Sequence, residues 1–267
     1  MAGGAARGRS VTAQALIAAL SLPAAACVDQ RVPKKLLLEH GAPTAADKRL
    51  INDGIEAIQW LAVLKPTTCG VPEFQDEVRE YLEIAVLRMT LRDGAKQARL
   101  IELLHRAVPY PVLLLVQQGD SLALSLAHKR KALREADKVV LDGEPVTVDA
   151  QVAGSAIQTA FLQALDLARL PRTSLHALYQ GWLDTAEALQ AATLTGAFTL
   201  PDSAERAQQR RSALQATVAL QGKIAELRRA AAKASQLARQ VELNLEIQRL
   251  QAELAAVRTQ LLPRMLA

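Results

Sequence analysis

Between Lys223 and Leu262 the chain contains neither Gly nor Pro, and from about Asp202 onward it is dominated by Ala, Leu, Gln, Arg and Glu. These residues lose little side-chain freedom in a helix, and nothing in the stretch makes a turn. The composition predicts one continuous helix over about 203–262, roughly 90 Å long at about 1.5 Å per residue. Leu220, Ile224, Leu227, Ala231, Ala234, Ala238 and Val241 follow alternating four- and three-residue steps. Leu243, Ile247, Leu250, Leu254, Val257 and Leu261 do so again, in a frame offset by two residues. Such an offset weakens a single uninterrupted seam. The alanine-rich first frame buries little, so the second, Leu243 to Leu261, is the expected coiled-coil interface, through which the chain self-associates or clamps a partner.

The same segment carries the charge. Residues 1–201 hold 21 Lys and Arg against 21 Asp and Glu, whereas residues 202–267 hold 11 against 6, which is the whole net charge of +5. A basic helix joined to a neutral body fits an interaction element or a phosphate-contacting one.

Upstream, the 267-residue chain is half hydrophobic but only 3% aromatic, which calls for an aliphatic, helix-rich core. Arg7 and Arg9 precede an apolar run from Ala15 to Val28 that looks like a secretory signal. Ser21 and Pro23 break it, however, and Leu16, Ile17 and Leu20 have the spacing of a short amphipathic helix, so a cytoplasmic location is expected. No stretch has the roughly 18–20 apolar residues of a membrane span. Thr44 and Asp47 read as a capping-box-like helix start. Ile58 to Leu64, Tyr81 to Leu91, Val112 to Val116 and Leu122 to Leu126 read as strands, with a helix over Ala95 to Val108. Asp142-Gly143, between Lys138–Leu141 and Val146–Val148, predicts a second hairpin. The expected fold class is α+β: a mostly antiparallel sheet with flanking helices, then a helical segment and a long C-terminal coiled-coil helix. The expected divisions are an N-terminal helical segment over 1–29, the α+β domain over 30–150, helical bracing over 151–200 and the basic helix over 201–267.

Chemistry is sparse. No phosphate-binding glycine loop, dinucleotide fingerprint, paired-cysteine motif, zinc motif or nucleophile elbow occurs. Cys27 and Cys69 read as free, buried thiols, and the four histidines lack ligand spacing, so neither metal nor cofactor is expected. A restriction-type nuclease needs strand-end carboxylates and a lysine two residues after one of them, to hold Mg²⁺ and activate water. Glu83 stands in a suitable strand but is followed by Ile84 and Ala85. His128, Lys129, Arg130 and Lys131, with Arg134 and Lys138, form the densest basic run of the body. Phosphate contact and a solvated strand end both account for it.

Taken together, Leu22-Pro23, Val32-Pro-Lys-Lys35, Ile58-Gln-Trp60, Lys65-Pro66, Tyr81-Leu-Glu-Ile84, Leu126-Ala-His-Lys129, Leu178-Tyr-Gln-Gly-Trp182 and Gln240-Val-Glu-Leu-Asn-Leu-Glu-Ile247 resemble a bacterial family of unassigned function. Its members are encoded beside helicase and DNA methyltransferase genes in restriction-like, phage-defence clusters. The resemblance implies a non-enzymatic accessory subunit of a DNA-processing complex, with the helicase or methyltransferase as partner. Direct nucleic-acid binding through the basic clusters, or a diverged nuclease using Glu83, are the alternatives.

Overall fold

The computed structural model describes residues 11–132, 138–151 and 155–262. Two compact units divide between Ala186 and Glu187.

In the first unit, α1 (Ala13–Ala19) starts at Thr12, whose hydroxyl accepts from the Ala15 amide at 3.2 Å. β1 (Cys27–Arg31) follows where the apolar run suggested helix; its residues are mostly exposed and lack alternation, so no period marks it. A bulge interrupts β1 between Cys27 and Gln30, with Asp29 at φ 50°, a left-handed conformation that Asp tolerates better than most residues. α2 (Lys34–His40) begins directly after Pro33. α3 (Ala45–Gly54) has the predicted start: Thr44 accepts from the Asp47 amide at 3.1 Å and donates to the Asp47 carboxylate at 2.8 Å. Arg99 grips the same carboxylate through two nitrogens, at 2.9 and 3.0 Å.

β2 (Ile55–Leu64) begins three residues before the expected strand, because α3 stops at Gly54. A side chain there would meet Leu100 at 2.9 Å. α4 (Pro66–Cys69), β3 (Phe74–Gln75) and β4 (Glu80–Tyr81) lead to β5 (Ile84–Leu91), so the expected Tyr81–Leu91 strand is broken at Leu82 and Glu83. α5 (Gln97–Ala107) crosses over to β6 (Val112–Gln118), which lies parallel to β5. β7 (Ser121–Leu126) returns antiparallel. The second hairpin is re-paired: β8 (Lys129–Lys131) joins β9 (Val139–Leu141), while β10 (Val146–Asp149) pairs with β7. The main sheet runs β1-β2-β5-β6-β7-β10, antiparallel except at β5–β6.

α5 buries Leu100, Ile101, Leu103 and Leu104 against Ile58, Leu87, Met89, Leu114 and Val116 of the sheet. α6 (Ser155–Ala164) and α7 (Leu175–Thr195) supply Phe161, Leu178, Tyr179 and Trp182, all buried. Trp182 donates to the Leu165 carbonyl at 3.0 Å. At Gly181 a Cβ would meet Pro171 at 2.8 Å, so α7 needs glycine for this close approach.

The second unit corrects the single long helix. α8 (Ala204–Lys233) and α9 (Leu237–Thr259) are separate, with Ala234 and Gln236 extended between them. Gln240 donates to the Ala234 carbonyl at 2.6 Å, a side-chain substitute for the lost helical bond. Ile224 packs with Ile247 and Leu250, joined by Leu220, Leu227 and Leu254. Ala191, Ala213 and Leu214 pack with Leu261 and Val257. Early residues of α8 thus meet late residues of α9, an antiparallel hairpin. Leu220, Ile224 and Leu227 of the first frame face the second frame across one internal seam, whereas Ala238 and Val241 of the first frame are exposed on α9, and the expected interface residues Leu243, Ile247, Leu250, Leu254, Val257 and Leu261 lie on the intrachain side. Antiparallel folding lets each stripe bury against the other, which outweighs the helical propensity of Ala234-Ser-Gln236. Arg211 adds an ion pair at 2.7 Å to Glu187, whose side chain is buried.

Ile247→Ala should therefore cost about 2–5 kcal/mol in denaturant unfolding, as a buried truncation. Leu245→Ala, at an exposed position, should change stability by less than about 0.5 kcal/mol.

Candidate functional site

The basic run lies on and beside β8, and strand alternation sends its side chains different ways. Lys129 turns inward and is 3% exposed. Its ammonium donates to the carbonyls of His105 and Val108, at the C-terminal end of α5. Unpaired carbonyls and the negative end of the helix dipole both favour a cation there. Burial pulls the Lys129 pKa down to about 7. Lys129 is thus a buried member of the basic run, with its ammonium against the end of α5. Arg130 lies 3.8 Å from Asp142, a carboxylate it shares with Arg79 at 2.5 Å. Lys131 donates to the Asp76 carbonyl at 3.0 Å. Lys138 is exposed, and Arg134 falls outside the described residues.

His128 belongs to a different group. Its Nε2 meets the Gln180 carbonyl oxygen at 2.8 Å, and Gln180 is oriented by donating to Asp184 at 2.8 Å. Nε2 of His128 therefore carries the proton and Nδ1 accepts from the Tyr81 hydroxyl. His176 stacks on His128 with ring centres 5.3 Å apart and meets Tyr81 edge-on at 4.9 Å. Burial, then the charge of Arg79, lowers the His176 pKa. Burial raises the phenols of Tyr81 and Tyr179, holding both protonated. Tyr179 accepts from the Ala127 amide at 2.9 Å and donates to the Val112 carbonyl at 2.7 Å. The cluster is a polar network that ties α7 to β6 and to the chain between β7 and β8.

A serine and a histidine also meet in the core. Ser125 Oγ lies 3.1 Å from His105 Nε2, and Thr147 donates to the same Oγ at 3.0 Å. That is the spacing of a nucleophile and its base, but both residues are fully buried. No substrate atom has a route to Oγ. Burial, with the nearby Lys129 charge second, lowers the His105 pKa to about 3. Glu83 lies between β4 and β5 and pairs with Lys65 at 2.9 Å, and that hydrogen bond raises the Lys65 pKa. Among the described residues no group of three or more His, Cys, Asp or Glu side chains could hold a metal. Cys27 and Cys69 are free, and Cys27 is exposed where a buried thiol was expected.

Two cavities flank the C-terminal half of α5, and neither has a local sequence signature. One, of about 230 Å³, is almost wholly apolar and is lined by Leu36, Trp60, Leu87, Leu104 and Tyr110 among others. The second, of about 500 Å³, is mixed: Glu39, His40, His105, Arg106, Lys129 and Lys138 line it together with apolar residues such as Pro43, Val139 and Leu141. The only sequence hint of the second is one lysine, Lys129, set between apolar strand residues and a basic run.

The outer face of α9 carries a third feature. Leu237, Val241 and Leu245 are 76%, 50% and 61% exposed. At four-residue spacing they form one stripe, turned away from the internal seam.

A mixed α+β body with a mostly antiparallel sheet, followed by a helical hairpin, defines the class of this protein. The chain belongs to the family described as a domain of unknown function, DUF4391, whose model matches residues 20–254. No curated protein and no solved structure matches the chain. No described helix is long and apolar enough to cross a membrane.

Tyr179→Phe removes the partner of a buried amide and a buried carbonyl, and should cost about 1–3 kcal/mol in chemical unfolding. His105 stays neutral in the folded chain down to about pH 3, whereas an unfolded histidine charges near pH 6.5. The unfolded state then binds the extra proton between these values, so this contribution to stability is complete above about pH 6.5 and falls away as pH drops toward 3. His105→Gln should flatten the slope of Tm against pH in that window, whatever its effect on Tm at pH 7.

Proposed function

We propose that this chain is a non-enzymatic accessory subunit that docks a partner protein through the outer face of its helical hairpin. The observation that carries this reading is the Leu237, Val241 and Leu245 stripe. A single exposed leucine is ordinary, but three on one helical face, spaced to meet the ridge of another helix, match the helix-in-groove mode of recognition. The internal seam already uses Ile247 and Leu250, so the hairpin is a preformed platform and a partner helix pays no ordering cost for it. The resemblance to proteins encoded beside helicase and DNA methyltransferase genes supports one of those subunits, in a restriction-like, phage-defence assembly, as the occupant.

Nucleic-acid contact is the second reading, and it now rests on α8 more than on β8. Arg228, Arg229 and Lys233 are exposed near the C-terminal end of α8, while Lys129 faces inward.

Co-expression with a helicase and with a DNA methyltransferase subunit of such a cluster, followed by measured affinities, tests the docking face. Replacing Leu237, Val241 and Leu245 together by Gln should weaken binding by at least about tenfold, or ~1.4 kcal/mol, with the helical circular dichroism unchanged. Unaltered affinity overturns the reading, and light scattering that shows the stripe joining two copies of the chain reassigns it to self-association.

A further inference from the structure

The larger pocket beside the C-terminal end of α5 has a buried lysine on its wall to which no described residue supplies a counter-charge. Lys129 is nearly fully buried, and its only described acceptors are two neutral carbonyls, those of His105 and Val108. A buried ammonium ordinarily has an anion against it, because desolvating the charge is costly. No carboxylate among the described residues forms an ion pair with it. Glu39, the one acidic side chain among the described residues of the pocket wall, pairs with Lys35 at 3.6 Å. An ammonium has three N–H donors and the carbonyls take two, so the third has no described acceptor.

Two further cationic side chains stand on the wall, among apolar residues that include Pro43, Val139 and Leu141. Arg106 and Lys138 both line the pocket, as does His40 at the end of α2. Arg106 engages Glu102 through one terminal nitrogen at 2.6 Å, which leaves the remainder of its planar fork of donors. The cavity of about 500 Å³ lies within the range of small-molecule sites.

We propose that this pocket binds a small phosphorylated ligand, whose phosphate sits among Lys129, Arg106 and Lys138 and supplies the counter-charge that Lys129 lacks. A phosphate suits the arrangement better than a carboxylate, because its several oxygens accept from cations on different sides at once. The end of α5 sharpens the requirement. Its carbonyls present partial negative charge to the same space, so an anion is held only while Lys129 covers them. Binding and protonation of Lys129 are therefore coupled. The groups facing it are Glu39 and His40 from α2, His105 and Arg106 from α5, and Lys138 beside β9, of which only Glu39 opposes the anion. The site is separate from the hairpin face, so its failure leaves the accessory-subunit reading untouched, and the reverse.

Titration calorimetry on the full chain, with inorganic phosphate and with adenosine monophosphate, tests it. At about pH 8 the unliganded Lys129 is largely neutral, so binding should take up a proton, seen as a heat that changes with the ionisation enthalpy of the buffer. Lys129→Met should weaken binding by at least about tenfold and abolish the proton uptake, and Lys138→Gln should weaken it by a smaller factor. The surface variant Lys138→Gln keeps the test open if Lys129→Met fails to fold. Tighter binding of adenosine monophosphate than of phosphate supports a nucleotide-sized ligand, and equal binding supports a compact phosphate. Absence of heat with both ligands overturns the proposal, as does unchanged affinity in Lys138→Gln together with binding that takes up no proton.

Discussion

The parallel pairing of β5 with β6 is the constraint from which most of the first unit follows. Two adjacent parallel strands require a crossover, and here α5 makes it. A parallel pair also needs cover on both faces, which is why Ala85 to Leu87 and Val112 to Val116 are buried without alternation. Once α5 is laid across the sheet, its last carbonyls arrive in the interior rather than in water. Lys129 is the answer to that geometry: β8 delivers a long cationic side chain to the carbonyls of His105 and Val108 at the helix end.

The same logic explains why polar chemistry accumulates in the core without becoming a reaction centre. The Tyr179 hydroxyl and the Tyr81–His128–Gln180 relay satisfy donors and acceptors where elements meet, whereas the His105–Ser125–Thr147 chain leaves the buried Nδ1 of His105 without a hydrogen-bond partner. Satisfied networks of this kind specify one packing over others, and they lose that role if one member is removed.

Much of this was legible in the residues. Thr44 and Asp47 marked a helix start because capping is local chemistry, and Val112–Val116 with Leu122–Leu126 marked a hairpin because a short turn joins two apolar runs. The class of fold followed from those elements. β1 was illegible because an exposed edge strand carries no hydrophobic period. The Asp142-Gly143 turn misled because turn chemistry says where a chain reverses but not which strand it pairs with, and β9 and β10 found separate partners. The hairpin of α8 and α9 was hidden for a related reason: helix propensity is summed residue by residue, while the break at Ala234 is decided by burial of two stripes against each other. The two-residue offset between the frames was the one local trace of it. The pocket at Lys129 was least legible, since its wall is drawn from α2, α5, β8 and β9, and no linear spacing joins them.

The bulge at Asp29 bears on how other molecules can approach the sheet. β1 is one outer edge of it, and an outer edge offers a row of open backbone donors and acceptors to any extended chain. Here the irregular register, the left-handed Asp29 and the exposed charges of Asp29 and Arg31 spoil that row. Strand-by-strand growth at β1, whether into a partner or into an aggregate, is disfavoured by construction. Recognition on that side must pass through side chains instead of the peptide backbone.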